Sequence, residues 1–205
     1  MVIFFACKSN TDENANGSDT AQHSENNHHS TADTSTGNNA MMDMHNAMTG
    51  MMEQMKGMKP TGDADYDFAM MMKHHHEGAV KMAQAELSGG TDADIKAKAE
   101  KIIDDQQKEI TAFDEFLNSS KPSGNSDFGK NAMGMMTDMG SMSMESSSLD
   151  AMFLSMMIPH HQDAIKMSQE YLKSGKNEKM KAIANNIIKA QQQEIKEFSG
   201  LALKK

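Results

Sequence analysis

The feature that most constrains this chain is an internal duplication. Sliding the sequence past itself by 85 positions aligns residues 65–113 with 150–198 without a gap, giving 22 identities in 49 positions. Agreement at that level means two copies of one structural unit. The shared residues include Asp65/Asp150, Phe68/Phe153, His75-His76/His160-His161, Lys81-Met82/Lys166-Met167, Gln106-Gln107/Gln191-Gln192 and Phe113/Phe198. Upstream, Asn46-Ala47-Met48 pairs with Asn131-Ala132-Met133.

Each copy reads as a helical hairpin. In the first, a helix from about Ala64 to Leu87 is expected to end on Gly89-Gly90 in a left-handed cap, with Gly175 at the matching place in the second copy. Thr91 and Asp94 have the spacing of a capping box. The next helix carries Ile95, Ala99, Ile102, Gln106, Ile110, Phe113 and Leu117 at helical period, and copy two repeats the stripe from Met180 to Leu201. One hairpin buries one face, so two should join as an all-α, antiparallel four-helix bundle. A short Met-rich helix is expected before each hairpin. The organisation is therefore a signal remnant at 1–7, a disordered polar tether at 8–40, a first Met-rich segment and hairpin at 41–120, a linker at 121–130, and a second Met-rich segment and hairpin at 131–205.

Composition excludes some functions. Net charge is -9 and every basic residue is Lys, which leaves no Arg-bearing basic face for nucleic acid. No apolar run reaches the roughly 20 residues of a membrane span. The single cysteine, Cys7, follows Val2-Ile3-Phe4-Phe5-Ala6 and precedes a polar stretch, resembling the end of a bacterial lipoprotein signal. Cys7 is accordingly read as a lipidation site, which implies a lipid-anchored protein of the cell envelope, in the periplasm or on the outer surface.

Methionine is the anomaly: the chain has 24 Met and only seven Leu. Packing alone favours Leu, because Met is flexible and specifies a core poorly, so sulfur itself is selected. Met71, His75 and Met82 fall within about 40° of one another on a helix, with Met72 and His76 adjoining. Met156, His160 and Met167, beside Met157 and His161, repeat the set. Thioether sulfur suits Cu(I), and imidazole also suits Cu(II). Zinc sites would want Cys, calcium wants oxygen, and no Glu-x-x-His pair of a di-iron site lies in the hairpins. His74, and Met44, Met48, Met51, Met55, Met133, Met136 and Met139 in the upstream segments, are additional candidates. For those methionines, packing onto the bundle and copper capture stand level; His23, His28 and His29 in the tether could add weak metal sites, although a polar tail often collects His by chance. Gln106 and Gln191 either hydrogen-bond a ligating His or face water. Asp65 and Asp150 are assigned a structural role at the positive ends of their helices.

At Asp150, Phe153, Met157-Ile158-Pro159-His160-His161, Ala164 and Met167 the sequence resembles the domain-of-unknown-function 305 family. Copy one matches at Asp65, Phe68, Met72, His75-His76, Ala79 and Met82, with His74 in place of the proline. Pro159 frees the carbonyl of Ser155 and is expected to bend its helix. The resemblance implies a ferritin-like bundle, and some members look like exported Met/His-rich copper-binding proteins. The function expected is non-enzymatic copper binding for sequestration, resistance or delivery, with a copper exporter or chaperone as partner. A metal-independent interaction module with a Met-rich surface, or a metal-dependent oxidase, are the alternatives.

Overall fold

A computed structural model describes residues 31–136 and 146–203. Cys7, the tether up to residue 30 with its histidines, and Met139, Met142 and Met144 lie outside the described residues. The elements are α1 (Thr31–Gly57), α2 (Ala64–Gly89), α3 (Ala93–Ser119), α4 (Phe128–Met135), α5 (Leu149–Ser174) and α6 (Glu178–Ala202). The described residues form helices and connections only.

The two hairpins are α2–α3 and α5–α6, and each helix starts where a side chain takes up orphan amides. Asp63 accepts from the amides of Asp65 and Tyr66, Asp92 from Asp94 and Ile95, Ser148 from Ala151, and Asn177 from Met180. Each such cap contributes about 1 kcal/mol. The start of α3 is thus Asp92, not the Thr91–Asp94 box the sequence suggested. Thr91 is occupied elsewhere: its hydroxyl donates to Asp150 Oδ2 at 2.7 Å.

The left-handed caps are also corrected. Gly90 (φ −68°) and Gly175 (φ −65°) are both extended. Glycine stands there for space: a Cβ at position 90 would run into the Glu86 carboxyl, and one at 175 into the Tyr171 ring. Gly62, at φ 85°, is the left-handed glycine among the described residues.

The hairpins associate through α2 and α5, which run antiparallel. Their ends show it. Asp65, at the start of α2, accepts from the amides of Lys176 and Asn177 after α5, at 2.8 and 3.0 Å. Asp150, at the start of α5, accepts from the amides of Thr91 and Asp92 after α2, at 3.0 and 2.9 Å. These aspartates do more than favour their own helix ends, because each closes the turn of the opposite hairpin. On the far side, Lys101 pairs with Glu194 at 3.0 Å and joins α3 to α6.

The Met-rich segments differ from each other. The first is no short helix: α1 has 27 residues, starts at Thr31 inside the expected tether, and packs along α2 and α5. Its buried stripe of Ala40, Met44, Ala47, Met48, Met51, Met52 and Met55 explains the length, since bundle contact carries the helix past its polar start. The second, α4, has eight residues and starts at Phe128, within the expected linker. Phe128 is buried edge-on to Phe68 and Tyr171, which stack on each other with centroids 4.1 Å apart. α5 continues across Pro159 without ending.

Candidate metal centre

The antiparallel register of α2 and α5 brings the duplicated histidines together at mid-bundle. His75 and His160 lie against each other with ring centroids 3.7 Å apart and their planes tilted by 33°. His76 and His161 flank them, with centroids 6.3 Å from His75 and 6.1 Å from His160 respectively. All four are fully buried.

Their hydrogen bonds set which nitrogens remain open. His160 Nε2 donates to the His75 carbonyl at 3.0 Å. His76 Nε2 meets Glu109 Oε2 at 2.6 Å, and His161 Nε2 meets Glu194 Oε2 at 3.0 Å. In each case the Nδ1 atom has no partner, and His75 lacks one at both nitrogens. A buried polar atom without a partner costs about 1–3 kcal/mol, so five such nitrogens in one place call for a reason.

The environment favours the neutral form of His75, His160 and His161. Burial pushes His75 well below the usual imidazole range, and the neighbouring His160, His76 and His161 push further. His160 is depressed well below its usual range by burial and by His161 and His76. Burial lowers His161 too, although its bond to Glu194 opposes the shift. Burial pushes Glu194 upward, but its bond with His161 and the charge of Lys101 outweigh that and hold it below the ordinary carboxylate value. A neutral imidazole held by a carboxylate through one nitrogen has the tautomer and orientation of a metal-ligating histidine.

Met71, Met72 and Met82 on α2, and Met156, Met157 and Met167 on α5, are all buried with the histidines. α1 adds Met51, whose sulfur would lie 2.8 Å from a Cβ at Gly78, one turn beyond His75. Met44, Met48 and Met55 are buried as well, whereas Met133 and Met136 are half-buried at the other Met-rich segment. His74 does not join the centre: it points outward, with Nδ1 3.0 Å from Glu77. Among the described residues, no three His, Cys, Asp or Glu side chains converge as a ready-made metal set. Any ion held here therefore draws on thioethers, or on a small rotation of the rings.

Glu109 and Glu194 were not anticipated. The glutamines one turn earlier are buried, but the Oε1 atoms of Gln106 and Gln191 have no partner, and the carboxylates take the histidines instead. The signal was present: both glutamates recur in the repeat, 33 residues after their histidines.

Two antiparallel hairpins closing on paired histidines define a duplicated helical bundle. The chain belongs to the family described as Domain of unknown function (DUF305), whose model matches residues 10–117 and 118–202. Among solved structures it is similar to CopM in the Cu(I)-bound form, at 25% identity over 68% of this chain and 96% of that one, with TM-score 0.55. It is similarly related to CopM in the Cu(II)-bound form, at 26% identity, 68% and 96% coverage, and TM-score 0.56. A DUF305 fragment from Deinococcus radiodurans shares the fold, at 22% identity, 72% and 100% coverage, and TM-score 0.55. No curated protein matches the chain.

Proposed function

We propose that this chain is a copper-binding protein of the cell envelope that holds Cu(I) at the α2–α5 centre for sequestration, resistance or delivery. His75, His76, His160 and His161 supply nitrogen, and Met71, Met72, Met82, Met156, Met157 and Met167 supply sulfur. The observation that carries the reading is the set of five partnerless imidazole nitrogens buried in a methionine core. Neutral imidazole and thioether both coordinate without releasing a proton, and together they favour a soft ion while still admitting Cu(II). The likeness to CopM in copper-bound forms supports the choice of metal.

The interaction-module alternative needs its methionines outside. Among the described residues, Met42 and Met135 are the exposed ones, at 59% and 38%. Most of the other described methionines are buried, so among the described residues that reading has less sulfur surface to draw on.

The test is an anaerobic titration of the full chain with Cu(I) against a competing chelator, with zinc and iron as controls. Selective uptake that falls when His75 and His160 become Gln and Met72 and Met157 become Leu is the expected result. Copper affinity unchanged in a folded variant overturns the reading. Attachment through Cys7 is tested separately: Cys7→Ser should move the protein from the membrane fraction to the soluble one.

A further inference from the structure

Between α1 and the end of α4 lies a half-open pocket of roughly 240 Å³, lined by Met52, Met55, Lys56, Met133 and Met136 and by no histidine. We propose that these four methionines form a second, thioether-only site for one soft monovalent ion, Cu(I) or Ag(I). The proposal takes its metal from the copper reading, but its residues are separate from the centre.

The geometry pairs two short steps of helix. Met52 and Met55 lie three residues apart on α1, and Met133 and Met136 three apart on α4 and its cap. Residues at that spacing sit side by side on a helix surface, so two sulfur pairs face one opening. Met52 and Met55 are buried and Met133 and Met136 half-buried, which gives the pocket a floor and a solvent-facing rim. Every apolar side chain in the lining is methionine. A pocket maintained only for packing would draw equally on the chain's Ile, Phe, Val and Leu.

The site is also singular. Applying the 85-residue shift places Met48 and Met51 on Met133 and Met136, but puts Thr137 and Gly140 where Met52 and Met55 stand. The sulfur pairs that meet here are thus not equivalent in the repeat, and the duplicated pattern by itself does not require their meeting. Lys56 works against a cation, but its side chain is exposed and solvated at the rim. The soft thioethers favour Cu(I) over hard ions, and no carboxylate or imidazole lines the pocket to hold zinc, calcium or magnesium.

The experiment titrates the full chain, carrying 13C-labelled methionine methyls, with Ag(I) as a closed-shell stand-in for Cu(I). The methyl signals of Met52, Met55, Met133 and Met136 are expected to shift together and saturate with one ion. A Met55→Leu/Met133→Leu variant should bind one ion fewer, keep its thermal unfolding, and retain the response of Met72 and Met157. Lys56→Gln should tighten this site about two- to fivefold, the size of an exposed charge effect. The proposal is overturned if the four methyls stay fixed while other sites fill, or if the folded variant keeps the full stoichiometry. Saturation of these four methyls with Met72 and Met157 unmoved would instead remove the central copper site and leave this one standing.

Discussion

The Tyr171 hydroxyl donates to Asp65 Oδ1 at 2.6 Å, and its counterpart in the first copy is Glu86, which faces Asp150. The two aspartates receive backbone amides in the same way, so each pair completes one end of the bundle. The two partners differ in kind. Burial, and then Asp65, push the Tyr171 hydroxyl above its already high range, so it stays protonated. Neither Glu86 carboxyl oxygen has a hydrogen-bond partner, and beside Asp150 the side chain could donate only as the protonated acid. Burial, followed by Asp150, raises it from 4.5 to about 8.

That difference predicts a pH-dependent stability. The folded pKa of Glu86 lies above its unfolded value, so its contribution is fully present below about 4.5 and is lost as pH rises through about 8. Asp150 is held low by the amides of Asp92 and Thr91 and the Thr91 hydroxyl, which outweigh its burial, so its own loss falls at more acidic pH. Glu86→Gln keeps a donor at every pH. It should be more stable than wild type by roughly 1–3 kcal/mol at about pH 9 and gain nothing at about pH 5, as read from urea midpoints.

Glu109 and Glu194 orient His76 and His161 through Nε2. Glu109→Gln and Glu194→Gln should each weaken Cu(I) binding about 10- to 100-fold while leaving helical content unchanged. Chelator competition and far-UV circular dichroism together check this. Equal affinity in both variants would limit the carboxylates to packing.

Met72→Leu and Met157→Leu separate ligand from core. Each conserves volume, so each should change unfolding free energy by less than about 1.5 kcal/mol. Copper affinity should nevertheless fall at least about tenfold, because Leu has no lone pair to offer. Parallel denaturation and Cu(I) titration read the two effects apart.

Glycine positions predict opposite signs. Gly175→Ala drives a methyl into the Tyr171 ring, disturbs its bond to Asp65, and should cost about 1–3 kcal/mol. Gly50, inside α1, has nothing within 4 Å of a new Cβ. Gly50→Ala should therefore stabilise the fold by about 0.5–1 kcal/mol. Thermal unfolding of both variants tests the contrast.

The hairpins and the histidine pairs were legible because duplication gives periodicity a second witness. His75 and His160, buried on equivalent faces, had to meet once α2 and α5 packed antiparallel. What escaped the sequence was long-range. Asp65 and Asp150 look like helix-end charges until the opposite turn is in place, and Thr91 looks like a cap until Asp150 takes its hydroxyl. Gln106 and Gln191 fit the apolar stripe better than Glu109 and Glu194, yet it is the carboxylates, three residues on at the stripe's edge, that reach the imidazoles. The length of α1 was hidden for a similar reason: Thr31–Asn39 is polar and poor in helix formers, and its helical state depends on the bundle beyond it.

The reciprocal aspartates carry a consequence for how such a chain came to exist. A solitary hairpin would leave its own aspartate with no turn to close and its own turn with no aspartate, and its histidines would face water. Half a chain would have to find a second half in solution, at a rate and occupancy set by its concentration. Joining the halves through the segment that includes α4 replaces that search with a tethered one, at a high effective concentration. The halves are then free to diverge. Tyr171 against Glu86, Pro159 against His74 and Asp163 against Gly78 are differences that a symmetric pair of identical subunits could not have acquired.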